Sequence, residues 1–272
     1  MLEPNIFNTV FVFPILNLLV LLYKGFLLIK IPGAFGLAII GLTAIIRGLF
    51  NPFFKKQMET ARKMADLKPQ IDNLSRLHKG DQKRIQQEQL KLYQEAGINP
   101  ASGCLFMIIQ IPVFIALYNT LSLFLTNGQG AKAIAQINGA LYSPMLKINS
   151  FDPWFLGLNL TVTPKESGNL VYLIIPLITA LLQYFQAQAT MPQATPIAAE
   201  KAAEKELLNK DEKAKADSGD FQKAMNTQMK YLFPVMIGWF SYTLPAGLSL
   251  YWNIFSLFSI IQYQRSKVKN SK

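Results

Sequence analysis

The chain has 272 residues, 51% of them hydrophobic and 16% charged, against roughly 25% charged in average soluble domains. Its net charge of +11 is compatible with nucleic acid, but a membrane protein also gathers basic residues in its cytoplasmic segments, so their location decides. One cysteine, Cys104, excludes an intramolecular disulfide and a cysteine-built metal cluster, and one histidine, His78, leaves most histidine-dependent chemistry without parts.

Residues 10–29 are long enough to cross a bilayer, yet Pro14, Asn17 and Lys24 interrupt them. They either span or lie in the outer interface as an amphipathic helix. Glu3 stands where a secretory signal would be basic, and no arginine-rich transit sequence is seen, which points to a bacterial plasma membrane. Lys30, Pro32 and Gly33 then separate this segment from the next.

The run 35–54 reads as a membrane helix with Arg47 inside it. An arginine at the centre of such a helix costs about 2.5–3.5 kcal/mol on insertion scales, so it needs a reason. Thr43, Arg47 and Asn51 recur every four residues and share one helix face. Either Arg47 snorkels to the headgroups or it faces a hydrated cavity among helices.

Residues 55–98 turn charge-rich and amphipathic, and the break HKGD at 78–81 makes them a helical hairpin whose second arm Asp81 can cap. Ten basic residues against six acidic ones put the hairpin in the cytoplasm. A second span follows at 101–125, with Gln110 about 13 Å from its cytoplasmic entry. The polar stretch 126–169 is the external loop, with aromatics in FDPWFLGLNL suited to the interface. The third span, 170–188, carries Gln183 and Gln186 toward its inner end. Residues 190–226 alternate Ala, Lys, Glu and Asp and read as a solvated linker. Spans four and five, 228–243 and 247–264, form a tight hairpin turned by LPAG, with a polar stripe of Ser249, Trp252 or Asn253, Ser256 and Ser259 on the fifth. A basic tail, 266–272, ends the chain. In all, 21 cations lie on the inner side and five on the outer side.

Four of the five spans thus bring polar groups to their middle or inner half: Thr43, Arg47, Asn51, Gln110, Gln183, Gln186, Trp252, Asn253 and Ser256. Singly, each amide or hydroxyl is adequately explained by interhelical hydrogen bonding, worth about 0.6 kcal/mol. Together with a cation and no Asp or Glu in any span, they point to a groove wetted from the cytoplasm that receives an anionic ligand. No paired carboxylates, zinc motif or nucleophile elbow is present, so bond-making catalysis is not expected.

The runs GLAIIGLTAIIRGLFNPF, METARKMADLKPQI, QQEQLKLYQEAGINPASGCLFMIIQIPVFIALYNTL and LPAGLSLYWNIFSLFSIIQ resemble the YidC family of membrane protein insertases over roughly residues 30–265. The resemblance implies an all-α polytopic membrane protein. Its core, 35–265, would hold five transmembrane helices around a hydrophilic groove, with a cytoplasmic hairpin and an interfacial helix within 1–34. By the same likeness Arg47 is the groove arginine, Thr43 lines the substrate path, Gln186 is the inner glutamine of the third span, and Tyr251 with Trp252 is the aromatic pair of the last. The implied partners are nascent membrane proteins, the lipid bilayer and the ribosome, reached through the hairpin and tail, with the Sec translocon as a candidate neighbour. No cofactor and no small-molecule substrate is implied. The likeness is to the short forms, which lack a large external domain. A small-anion transporter and an assembly scaffold are the rival readings; the first predicts inverted repeats, and none is seen.

Overall fold

The computed structural model describes residues 3–78, 81–99, 101–125, 130–190 and 228–269, except for the side chains at 82, 101–110, 190, 229 and 266–269. The expected linker at 190–226, apart from its first residue, and the side chains of the tail fall outside the described residues. Ten α-helices are described: α1 Phe13–Leu28, α2 Ala34–Leu49, α3 Asn51–Asp66, α4 Lys68–Leu77, α5 Gln82–Glu95, α6 Ala101–Leu125, α7 Ala131–Gly139, α8 Leu170–Thr190, α9 Phe233–Thr243 and α10 Ala246–Lys269. Two short strands, β1 Trp154–Phe155 and β2 Leu158–Asn159, make an antiparallel hairpin.

Four prolines decide where helices restart. Pro14, Pro52, Pro69 and Pro234 each sit in the first two positions of a helix, where the missing N–H costs nothing. Before Pro14 and Pro234 the chain runs through a wide π turn, Asn8–Val12 and Gln228–Leu232, and stays helical. At Pro52 it bends instead. A proline ring there would strike the carbonyl of Gly48 in a continuing helix, so α2 stops at Phe50 and α3 leaves at 64°. The unbroken helix expected over 35–54 is therefore corrected to a bent pair. Pro69 splits the first arm of the hairpin into α3 and α4 in the same way.

Asn8–Leu28 and Leu170–Ala189 are each long and apolar enough to cross a bilayer, and the α2–α3 pair passes the same test jointly. The main core lies where α2 begins and α6 ends. Phe35 packs on Phe124 and Phe151 at ring separations of 5.2 and 5.1 Å, and Tyr23 meets Phe35 edge-on at 5.9 Å. The segment read as a polar loop at 126–169 contributes Ile137, Ile148, Phe151 and Leu160 to this core, so it is a packed cap rather than a loose connection. Three side chains of α1 sew the cap down through its main chain. Asn17 donates to the Ala140 carbonyl (3.0 Å) and accepts from the Tyr142 N–H (2.7 Å), the Tyr23 hydroxyl accepts from the Asp152 N–H (3.0 Å), and Lys24 donates to the carbonyls of Met145 and Lys147.

Helices α8, α9 and α10 close together on small residues. Gly238 of α9 leaves no room for a Cβ, which would lie 2.9 Å from that of Ala180. Beside it, Thr179, Ser241 and Ser249 form a buried hydroxyl relay with oxygen separations of 3.1 and 2.8 Å. The hairpin has its own small core of Ile71, Tyr93 and Ile98. Asp81 caps α5 as its sequence position predicts, accepting from the Arg84 N–H at 3.0 Å.

Candidate functional site

Arg47 sits in the last turn of α2. Because the chain bends at Phe50, the helix ends just past it, and the negative end of the helix dipole lies beside the cation, an effect of about 0.3–1 kcal/mol. Its guanidinium crosses to α10. One terminal nitrogen donates to the Phe255 carbonyl (2.8 Å) and to the Ser259 hydroxyl; the other donates to Gln262 Oε1 (3.4 Å). The Phe255 ring lies 3.6 Å and the Phe54 ring 4.2 Å from the guanidinium carbon. Nε is buried without a hydrogen-bond partner, and none of the ion pairs among the described residues includes Arg47. Among the described residues the cation is held by neutral dipoles and aromatic faces alone.

Arg47 is 2% exposed and enclosed in this arrangement. The physical reason is the bend, which swings the first turn of α3 under α2 and lays Phe54 over the guanidinium. Thr43, one turn earlier, is 1% exposed and donates its hydroxyl back to the Ile39 carbonyl at 2.7 Å. Asn51 falls beyond the bend as the first residue of α3, yet stays in reach: its Oδ1 accepts from Gln262 Nε2 at 3.4 Å, so Gln262 bridges Asn51 and Arg47.

The other predicted residues form a second layer along α10. Ser256 donates to Gln183 Oε1 at 3.3 Å and ties α10 to α8. Gln186 lies half-buried one turn farther along α8. Asn253 buries its Oδ1 without a hydrogen-bond partner. Tyr251 and Trp252 turn to α6, where Trp252 stacks parallel on Phe114 at 6.1 Å and Tyr251 lies 6.4 Å from the same ring. The Phe255 ring, which faces the arginine, lies 6.0 Å from Tyr251. Gln110 belongs to α6, but its side chain lies outside the described residues. The structure thus links Arg47 and Asn51 through Gln262, pairs Gln183 with Ser256, and leaves Tyr251 and Trp252 on the α6 side.

Sequence reasoning did not assign Phe54, Phe255 and Gln262 to this site. Gln262 had a signal, since it continues the stripe of Ser256 and Ser259 by one more step of three. Phe54 and Phe255 had none, because a phenylalanine in an apolar run looks the same whether it meets lipid or a cation. Among the described residues no group of three His, Cys, Asp or Glu side chains comes together to hold a metal.

The sequence profile of the family described as 60Kd inner membrane protein matches residues 27–271. The chain is similar to Inner membrane ALBINO3-like protein 1, chloroplastic, of Chlamydomonas reinhardtii, at 32% identity over 85% of this chain and 43% of that one. It is similar to ALBINO3-like protein 1, chloroplastic, of Arabidopsis thaliana, at 31% identity over 90% of this chain and 46% of the other. It is also similar to Membrane protein insertase YidC of Oceanobacillus iheyensis, at 26% identity over 96% of this chain and 84% of that one. The chain spans a little under half the length of the chloroplast relatives.

Proposed function

The chain belongs to the 60Kd inner membrane protein family, which includes the YidC-type insertases, and from that premise we propose that it inserts hydrophobic segments of nascent proteins into a plasma membrane from the cytoplasmic side and assists their assembly. The observation that carries the reading is Arg47, a buried cation whose partners among the described residues are all neutral. An acidic residue in the flanking tail of a client is the missing counter-ion. At about 4 Å and an effective dielectric near 20 the pair is worth about 4 kcal/mol, enough to draw a tail in and weak enough to release it.

The enclosed arginine is the resting arrangement. Phe54 and Asn51 are carried on α3, so a swing of α3 about Phe50 uncovers the guanidinium and joins it to the polar layer of Gln183, Gln186, Asn253 and Ser256 as a hydrated groove. Thr43, Tyr251 and Trp252 flank the path. The hydrophobic part of the client leaves sideways into lipid, and no bond is made or broken.

Five spans serve this core: α2 with the start of α3, α6, α8, α9 with its preceding π turn, and α10, with the C-terminus in the cytoplasm. Helix α1 lies along the outer interface. Its support is that Asn17, Tyr23 and Lys24, spread over two turns, all bond the cap at 140–152, which suits a helix lying beside the cap better than one running away from it. The basic hairpin of α3 to α5 and the tail contact ribosomal RNA or anionic lipid.

The test is reconstitution in liposomes with a single-span client released from ribosomes. Protected insertion of its acidic tail supports the reading; binding without protection refutes it in favour of a scaffold.

A further inference from the structure

The cap ends in a feature that packing does not explain. Strands β1 and β2 pair Trp154 with Asn159 and Phe155 with Leu158, so Leu156 and Gly157 form the two-residue turn. Both have positive φ, +51° and +80°. Such a turn favours Asn, Asp or Gly, and a leucine in this conformation is strained. Leu156 is also 86% exposed, with Trp154 beside it 52% exposed. A tip meant for water would carry asparagine. An outlier of this kind is a pointer to function.

The surroundings say what the tip meets. An open cleft of about 340 Å³ separates the tip from Pro32 and Gly33, with Asp152 also in its lining; just before Pro32 the chain leaves α1, where Leu28 and Ile29 are exposed and Lys30 follows. The stretches 1–34 and 126–169 together carry five lysines against three acids. Exposed apolar residues with a cation, Lys30, two residues from the Pro32 of the cleft combine the two signals that stable attachment to a charged bilayer surface needs, although Asp152 also lines the cleft. The apolar ridge also continues along the exposed side of α1 through Leu21 and Leu27.

We propose that the Trp154–Leu156 tip and the end of α1 form a wedge that beds into the outer headgroup layer, with anionic glycerophospholipid as its partner. The wedge rests on the orientation given under Proposed function. It also has a mechanical link inward. Phe155 packs against Gly33 and Gly36 at the start of α2, so closely that a Cβ on Gly36 would lie 2.2 Å from its ring. Arg47 follows Gly36 by eleven residues, about 16 Å along the helix. Seating the tip in the headgroups therefore sets the depth of the arginine in the bilayer.

The experiment uses the full chain with Cys104→Ser and Leu156→Cys, carrying an environment-sensitive NBD label, in phosphatidylcholine liposomes with and without phosphatidylglycerol. The expected result is blue-shifted emission, quenched by bromine on the lipid chains and spared by aqueous iodide, with a several-fold gain in lipid quenching when phosphatidylglycerol is present. Lys30→Gln is expected to remove that gain. Quenching by iodide alone overturns the proposal, as does protection from both quenchers, which would mean that protein covers the tip. Orientation is read separately, from labelling of Asn149→Cys in the same background by an impermeant thiol reagent in intact cells. Labelling from inside only refutes the orientation, whereas labelling from outside with an unquenched tip refutes the wedge alone.

Discussion

Replacing Arg47 by alanine separates stability from function, and the structure gives the size of each effect. For the fold, the substitution removes hydrogen bonds to Phe255, Ser259 and Gln262 and contact with two aromatic faces. Hydrogen bonds to a charged group are worth about 1.5–3 kcal/mol each and a desolvated cation–π contact about 2. Against this, the substitution abolishes a buried charge with no counter-ion, whose desolvation costs several kcal/mol. The relieved burial cost offsets only part of these contacts, and neither the Phe255 carbonyl nor the Ser259 hydroxyl is orphaned, because they also bond each other at 3.1 Å. The thermal midpoint should fall, but by less than loss of the contacts alone would give.

For function, an acidic tail gains about 4 kcal/mol at the cation. It must first displace Gln262, the longest of the three contacts, giving back about 1.5–3 kcal/mol of charge-assisted bonding. The remaining 1–2.5 kcal/mol corresponds to roughly a tenfold effect. Two single-span clients, identical except for aspartates or asparagines in the translocated tail, are inserted into liposomes by wild type and by Arg47→Ala. The acidic client should fall about tenfold and the neutral one less than twofold. Equal losses for both clients, or full activity with the acidic one, would refute the electrostatic step.

Four further outcomes follow from the packing. Phe54→Ala removes one wall of the arginine enclosure and should raise labelling of Thr43→Cys, in a Cys104→Ser background, several-fold with an impermeant reagent; unchanged labelling counts against α3 as the cover. Gly36→Ala drives a methyl against Phe155 and should cost about 1–3 kcal/mol in thermal unfolding. Phe155→Ala in the double variant should return much of that loss, and no return would mean the contact is not the cause. At the hairpin turn, burial works to raise the Glu88 carboxyl, but hydrogen bonds from Arg84 (3.3 Å) and His78 (2.9 Å) outweigh it and hold the group below its usual range. A depressed acid stabilises above its unfolded value, near 4.3, and the contribution is lost as pH falls through the lower folded value. Exchange of the α5 amides, corrected for intrinsic rate, should speed up across that window in wild type and lose the dependence in Glu88→Gln. Ser241→Ala interrupts the hydroxyl relay and should cost only about 1 kcal/mol in thermal unfolding, because Thr179 keeps the Ile175 carbonyl at 2.9 Å; a loss several times larger would mean the relay is cooperative.

Legibility tracked the range of the forces involved. Apolar runs, charge bias and Asp81 are local signals, and they were readable as helices, a basic hairpin and a cap. The bend at Phe50 was written in Pro52, but the apolar run passes over it without a change in composition, and hydropathy masked the break. Asn17 and Lys24 looked like flaws in a span because their partners, the carbonyls at 140 and 147, are more than 120 residues away and carry no side-chain signature. The polar positions around Arg47 could be found by helical spacing, but not which residues enclose the cation. That depends on the direction in which α3 leaves, a tertiary fact.

The stitches of Asn17, Tyr23 and Lys24 reach main-chain atoms of a single segment, so one end of the bundle is clamped whatever side chains that segment bears. At the opposite end the chain pivots on one residue, Phe50, ahead of a proline. A body clamped at one end and pivoted at the other gives way at the pivot when pushed. A load applied beside Phe54 therefore meets the compliant side first and a rigid floor behind it.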